Sequence, residues 1–354
     1  MCAFACIFVW MNNFGIQLLK WYDENKRDLP WRQTKNPYTV WLSEIILQQT
    51  RVDQGIPYFL RFVEQYPNVV ALAKAHEDEV LKLWQGLGYY ARARNMLKAA
   101  KIVAFQLGGT FPTTYKELCQ LPGIGPYTAS AIASICYNEA TAVVDGNVYR
   151  VLARFFDIDL PINQPKGIKG FQQLAQSLII SNEPGTYNQA LMEFGALQCT
   201  PKNPNCLRCP LNDRCLAFAN NTIEMRPIKI KAKPARARFF HYLIPIDKNQ
   251  KTLLNQRTTA DIWQGLYEFP LIEATHTLSE QELKAHHDLP AWAQDANWTL
   301  FNQEAVVHRL SHQVINAYFW IVDDMDETMP HSWDFVHSRG VSRLVERFLH
   351  KFKR

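Results

Sequence analysis

Two carboxylates and four cysteines stand among neighbours that could turn them to chemistry. Glu44 lies in WLSEIILQQTRV, a helical run that puts Val40, Trp41 and Leu47 at positions i−4, i−3 and i+3. Apolar flanking disfavours the ionised form and raises the pKa, so Glu44 can hold a proton near neutrality and donate it as a general acid. Asp145 stands near the start of VDGNVYRVLARF, where an aspartate before a helix acts as an N-cap. Backbone N–H groups and the helix dipole are expected to lower its pKa and keep it ionised. Such a pair serves a reaction in which a leaving group takes a proton while a cation builds up opposite an anion, as in glycosidic cleavage. Cys199, Cys206, Cys209 and Cys215 are spaced C-x6-C-x2-C-x5-C. Four thiolates this close can enclose a tetrahedral zinc ion or an iron–sulfur cube, and spacing alone does not choose between them.

Other segments suit a polyanionic partner. Between two helical stretches lies LPGIGPYTA, residues 121–129. Its glycines, Gly123 and Gly125, let backbone approach a partner closely, and the following helix offers unpaired N–H groups that bind phosphate without reading sequence. GLGYYARARN, residues 86–95, brings Leu87, Tyr89, Arg92 and Arg94 together, the arginines suiting phosphate. Residues 226–238, RPIKIKAKPARAR, carry six basic residues, two prolines and no acid, the composition of a linker.

These groups must be positioned by two kinds of scaffold. From Met11 to about Ala217 apolar residues recur at three- and four-residue spacing, in segments such as 77–84, 91–107 and 171–180. This half reads as all-α. Beyond the basic stretch, short strand-like runs at 239–246, 251–256 and 314–322 alternate with turns and a helical stretch at 280–287. The C-terminal part therefore reads as an α+β domain. The expected organisation is an extension at 1–10, a helical domain at 11–217, a basic linker at 218–238 and a second domain at 239–354. MCAFACIFVW lacks a basic n-region and a small-residue cleavage site, so it is read as an upstream extension with the natural start at Met11. With 354 residues and a net charge of +5 the chain can hold two cores and is mildly basic. No apolar run reaches the roughly 18–20 residues of a membrane span. The expected compartment is the cytoplasm, at the nucleoid, and the expected state a monomer. Cys2, Cys6, Cys119 and Cys136 are scattered among apolar neighbours and read as inert thiols.

The cysteine spacing, the string 121–129 and an aspartate following it after Val143 and Val144 together resemble the iron–sulfur loop and helix–hairpin–helix of the endonuclease III and MutY glycosylases. The resemblance covers nearly all of residues 11–217. It implies one [4Fe–4S] cluster on Cys199, Cys206, Cys209 and Cys215. By position it makes Glu44 the acid that protonates adenine and Asp145 the group that stabilises, or briefly bonds to, the anomeric carbon. Asn147 would orient that aspartate, and Tyr127 would contact the reacting sugar or Glu44. Gln49, beside Thr50 in LQQT, and Tyr89, with Leu87 nearby, match residues that wedge beside the orphaned base. Trp31, Arg32 and Gln189 match the adenine pocket. Tyr127 stands where endonuclease III carries the lysine of its strand-nicking Schiff base, and a phenol has no amine for that chemistry. The resemblance thus implies a monofunctional glycosylase acting on duplex DNA with adenine opposite 8-oxoguanine or guanine.

The C-terminal part resembles the MutT-like, or Nudix-like, domain of MutY through TADIWQGLYEFP, residues 259–270. The glutamate-rich metal box of hydrolytic members is missing from 271–287, which implies a binder without a Mg²⁺ site. Ser311 and His312, in VVHRLSHQVIN, match the tip that reads 8-oxoguanine, with Leu310 where phenylalanine is usual. The rival readings are a pyrimidine-damage glycosylase/lyase, disfavoured by Tyr127, a non-catalytic DNA-binding protein, disfavoured by the carboxylate pair, and a nucleotide pyrophosphatase, disfavoured by the missing box.

Overall fold

The computed structural model describes residues 2–231 and 234–352, with side chains described from Asn13 onward. Helices run in the order α1 (Cys2–Asn25), α2 (Pro37–Leu47), α3 (Val52–Gln65), α4 (Val69–Lys74), α5 (Glu77–Leu83), α6 (Ala91–Phe105), α7 (Tyr115–Leu118), α8 (Pro126–Tyr137), α9 (Gly146–Phe155), α10 (Pro165–Leu178), α11 (Pro184–Leu197) and α12 (Leu216–Ala219). After α12 come β1 (Arg236–Pro245), β2 (Asn255–Gln256), β3 (Tyr267–Glu268), β4 (Leu271–Ala274), α13 (Glu280–Lys284), β5 (Asn297–Leu300), β6 (Val306–Arg309), β7 (Gln313–Asp323), α14 (Trp333–Ser338) and α15 (Arg343–Lys351). Among the described residues no helix is long and apolar enough to cross a membrane. Helix α1 runs through the expected extension at 1–10 and the expected start at Met11. Side chains 1–12 and all of Met1 lie outside the described residues.

The chain divides into two compact units, the first holding residues up to Lys74 and Lys98–Lys231, the second holding Ala75–Leu97 and Ala232–Arg354. In the first unit the chemistry-bearing helices start where local sequence tells them to. The Asn36 side chain caps α2 by accepting from the N–H groups of Tyr38 and Thr39, and Pro37 supplies the preset φ of the first turn. Asp145 caps α9 in the same way, accepting from Val148 N. Helix α11 packs against α1, α8 and α9. Between them lies a core that includes Phe14, Leu18, Val151, Phe171, Tyr187 and Phe194, with Cys199, Cys209 and Cys215 packed against it.

In the second unit the sheet order is β4-β1-β7-β5, with β6 also on β7. The long strands β1 and β7 are parallel, in register from Arg236 opposite Gln313 to Pro245 opposite Val322. Alternation along β1 sends Phe240, Tyr242 and Ile244 to one core with Phe319 and Phe348, and Leu243 to another with Trp320 and Val322. The segment 75–97 is tied into this unit by Arg339 on Asp78 at 3.0 Å, Gln85 on Glu346 at 2.9 Å and Lys82 Nζ on the His337 carbonyl at 2.7 Å.

The expected linker at 218–238 is shorter at both ends. At its start, the Arg154 guanidinium reaches the carbonyls of Ile223 (3.1 Å) and Arg226 (3.2 Å). At its end, Arg236, Ala237 and Arg238 already belong to β1. Arg238 is buried, with its guanidinium on Asp261 (2.7 Å) and Glu273 (2.6 Å), so a residue expected near phosphate is consumed inside the fold. The second unit also reaches back to 75–97, which the expected boundaries did not include.

Candidate active site

Helix α2 is apolar on nearly every side, and Glu44 is carried into the interior with it, only 8% exposed. Burial pushes its carboxyl pKa up to about 7; the Asp145 charge adds to this, while a hydrogen bond with Tyr127 and the Arg32 charge pull it down. Tyr127, in the first turn of α8, has its hydroxyl raised well above the usual tyrosine range by the same desolvation. That hydroxyl also lies 3.4 Å from Met192 Sδ.

Asp145 departs from its expectation. The cap is there, with Val148 N donating to Oδ1 at 2.7 Å and Asn147 Nδ2 to Oδ2 at 2.7 Å. Desolvation outweighs these donors, however, and the pKa is raised, not lowered. Both carboxyls thus resist ionisation through burial, and the Asp145 charge adds to the resistance of Glu44. The donors decide where the charge goes. Asp145 has two short N–H bonds to stabilise an anion, whereas Glu44 has only the phenol.

Glu44, Asp145, Tyr127 and Asn147 line one cavity of about 550 Å³, together with Trp31, Arg32, Thr50 and Gln189. Trp31 is buried edge-on against Phe59, with ring centroids 5.2 Å apart. Gln189 Oε1 accepts from Tyr22 at 2.9 Å, which leaves the Nε2 amide donor for a guest. Arg32, expected to serve the pocket directly, has a prior engagement. Its guanidinium forks onto buried Glu193 at 2.9 and 2.8 Å, and Arg27 grips the same carboxylate at 2.7 Å. Desolvation would raise the Glu193 pKa, yet the two arginines bring it down to about 2. No local signal in the sequence pointed to Glu193, which lies 161 positions from Arg32.

A second relay runs behind Asp145. Asn147 Oδ1 accepts from Arg150 Nη2 at 2.8 Å, and Arg150 Nε donates to the Cys199 carbonyl at 2.7 Å. Arg150 Nη2 also reaches the Gly195 carbonyl at 2.6 Å. The first cysteine of the cluster is thereby linked to the capping aspartate through two side chains. Arg150 was missed by sequence reasoning, although its place one turn after Asn147 on the same helix face was available.

The remaining residues fall elsewhere. Gln49 is exposed in the turn after α2, held at φ +56°, a backbone region few non-glycine residues occupy. Gly123 is exposed at φ +76°, and Gly125 is exposed where an added Cβ would meet nothing, so the protein's own packing leaves that space open. In the second unit Tyr89 is half-exposed and Ser311 and His312 are exposed at the tip between β6 and β7. Leu87 is buried, because the turn after Trp84 folds its apolar side chain inward, so it is no exposed wedge. Arg92 and Arg94 are not free for phosphate either: Arg92 bonds the Leu87 and Gly88 carbonyls, and Arg94 bonds Gln264.

Comparison with known proteins matches this architecture part by part. Residues 42–169 match the HhH-GPD superfamily of base excision DNA repair proteins, and residues 199–215 match the iron–sulfur binding domain of endonuclease III. Residues 241–351 match the NUDIX domain. The adenine DNA glycosylase of Buchnera aphidicola subsp. Acyrthosiphon pisum is 34% identical, over 96% of this chain and 98% of the relative. That of Buchnera aphidicola subsp. Baizongia pistaciae is also 34% identical, over 86% and 83%. The chain belongs to the adenine DNA glycosylase family. Family members are DNA N-glycosylases of base excision repair. A solved thermostable thymine-DNA glycosylase superposes with a TM-score of 0.55 at 28% identity, covering 59% of this chain and 97% of that one.

The cysteines fit the cluster that the family carries. All four line one small cavity, closed off by Pro204, Asn205 and Phe218. A zinc ion bonded to thiolates at about 2.3 Å would hold its sulfurs roughly 3.8 Å apart. Among the described residues the only group of three or more possible ligands lying mutually within 4.8 Å is His286, His287 and Asp288, so the cysteine sulfurs are spread wider than one zinc ion requires. The endonuclease III match is to an iron–sulfur domain, so Cys199, Cys206, Cys209 and Cys215 would hold such a cluster.

Proposed function

We propose that this protein hydrolyses the N-glycosidic bond of adenine mispaired with 8-oxoguanine, or with guanine, in duplex DNA. The observation that carries this reading is that Glu44 and Asp145 face one cavity, burial holding the Glu44 pKa up at about 7 while two short N–H donors serve an Asp145 anion. In this scheme Glu44, protonated near neutrality, gives its proton to N7 of the flipped adenine and turns the base into a neutral leaving group. Asp145 carries the charge, held by Asn147 and Val148 N, and either stabilises the oxocarbenium ion or bonds briefly to its anomeric carbon. Water then completes hydrolysis, leaving an abasic site. Tyr127 keeps the Glu44 carboxyl in place and offers no amine, so no Schiff base forms and the strand is not nicked.

Trp31 and Gln189 form the pocket that receives the base, with Arg32 building its wall through Glu193. Extrusion of the base costs a few kcal/mol, least at a mispair, and Gln49, Thr50 and Tyr89 fill or border the gap. Gly123 and Gly125 bring the α8 N-terminus against phosphate. The NUDIX domain acts as a reader, with Ser311 and His312 meeting the oxidised base, and not as a hydrolase. The cluster on Cys199, Cys206, Cys209 and Cys215 organises the loop that anchors Arg150 and Arg154. The protein acts as a monomer at the nucleoid. The deciding experiment is single-turnover base release from a duplex with adenine opposite 8-oxoguanine, with adenine·guanine and undamaged duplexes as controls. Release should be fastest from the oxidised mispair and absent from undamaged DNA. Equal rates on all three, or a trapped enzyme–DNA adduct with borohydride, would overturn the reading.

A further inference from the structure

Tyr89 stands on an unusual piece of backbone. In the turn between α5 and α6, Gly86, Gly88 and Tyr89 take φ of +98°, +74° and +48°. Glycine adopts such angles freely, but tyrosine does so only where the surroundings hold it there. The ring is nonetheless 51% exposed, so packing around it cannot be the whole of the restraint.

The Ser311 hydroxyl holds the tip of the ring at 2.8 Å, and Arg92 holds its base. Its Nη2 donates to the Gly88 carbonyl at 3.1 Å and the Leu87 carbonyl at 3.4 Å, the two peptide groups just before Tyr89. Trp84 Nε1 donates to the same Gly88 oxygen at 3.0 Å. The guanidinium carbon lies 5.0 Å from the Trp84 ring centroid and 5.8 Å from that of Tyr89. The Arg92 N–H closes onto the Tyr89 carbonyl at 2.9 Å. Burial lowers the guanidinium pKa to about 10, which leaves it cationic at neutrality, as stacking on an aromatic face requires.

We infer that Arg92 is a positioning residue for Tyr89: one nitrogen of its flat cation pins the left-handed turn by two carbonyls, and its plane backs the exposed ring. This rests on the reading of Tyr89 as the wedge that enters the base stack. A ring fixed before DNA arrives enters the duplex without first being ordered, and the gap is filled as the adenine leaves. A lysine ammonium can reach the carbonyls but has no plane to lie along the Trp84 and Tyr89 rings while doing so.

The test compares Arg92→Lys, Arg92→Gln, Tyr89→Ala and the double variant Tyr89→Ala/Arg92→Lys, using the full chain with its cluster. The readouts are single-turnover adenine release opposite 8-oxoguanine, thermal melting and the salt dependence of duplex binding. Arg92→Lys is expected to slow release by about 10-fold, within the range of coupled neighbours, and melting should shift by only a few degrees. In the Tyr89→Ala background the same change should cost nothing further. An undiminished loss in the double variant, together with a slow Tyr89→Ala, overturns the clamp while leaving the wedge standing. A normal rate for Tyr89→Ala overturns the wedge and the clamp with it. If Arg92→Gln weakens the salt dependence by about one counter-ion, Arg92 is a phosphate contact and the clamp is overturned.

Discussion

The phenolic oxygen of Tyr89 and Oγ of Ser311 lie 2.8 Å apart, joining the turn before α6 to the tip between β6 and β7 across 222 positions of sequence. Beside them a cavity of about 170 Å³ is lined by Trp263, Leu310, His312 and Gln313. Oxidised guanine carries a donor at N7 and an oxygen at C8, so a hydroxyl able to accept and donate can tell it from guanine. Replacing Ser311 and His312 together by alanine should narrow the preference for 8-oxoguanine over guanine by roughly 2- to 12-fold, the worth of one neutral hydrogen bond. The measurement is the ratio of single-turnover rates on the two duplexes. An unchanged ratio removes the tip from recognition.

Glu44→Gln should reduce base release by about 10²–10⁴-fold while duplex binding survives. The wild-type rate should fall as pH rises through about 7, because the Glu44 proton is lost there. Stability moves the same way. Burial raises the folded-state pKa from 4.5 to about 7, so the fold loses stability as pH climbs between those values. The gap corresponds to on the order of 3 kcal/mol, and Glu44→Gln should melt higher than wild type at pH 8 but not at pH 4. Asp145→Asn should also abolish release. Near-normal turnover in either variant defeats the proposed pair.

Gly195 on α11 leaves no room for a side chain, since a Cβ there would lie 2.6 Å from Asn147 Cβ and 3.0 Å from Asn147 O. Gly195→Ala should therefore cost about 1–3 kcal/mol of stability and also slow base release, because Asn147 is pushed from its 2.7 Å bond to Asp145. Gly170→Ala is the control. Its Cβ would meet only the Leu160 Cδ1 methyl, at 3.3 Å, so melting and activity should stay near wild type. Equal activity in the two variants would separate Asn147 from catalysis.

Stripping the cluster should bleach the brown absorbance and lower the melting temperature by several degrees, since Cys199, Cys209 and Cys215 pack on the first unit's core. Base release should fall further than stability predicts, because Arg150 loses its anchor on the Cys199 carbonyl. A colourless protein with one equivalent of zinc would sink the cluster assignment.

The parts of this design that were legible in the sequence are those written locally. The caps of α2 and α9, the alternation of β1 and the cysteine spacing all depend on residues within a few positions. The family pattern added that Glu44 and Asp145 belong to one site. What could not be read was set by partners far along the chain. The Asp145 pKa goes up because its carboxyl is buried, which an N-cap motif does not reveal. Arg32 builds a wall because Glu193 is waiting for it, and Arg238 is buried because Asp261 and Glu273 are. Arginines that looked ready for phosphate, Arg92 and Arg94, bond backbone carbonyls instead.

The discontinuity of the second unit has a consequence for how this protein can be cut. Residues 75–97 rest on Arg339, Val341 and Glu346, near the far end of the chain. A fragment ending at 231 would keep both carboxylates and all four cysteines, yet Asp78, Gln85 and Tyr90 of the arm bearing Tyr89 would lose the Arg339 guanidinium, the Glu346 carboxylate and the Val341 carbonyl. Truncation there is no clean separation of two domains, since the turn that carries Tyr89 is held in place by residues from the half that is thrown away.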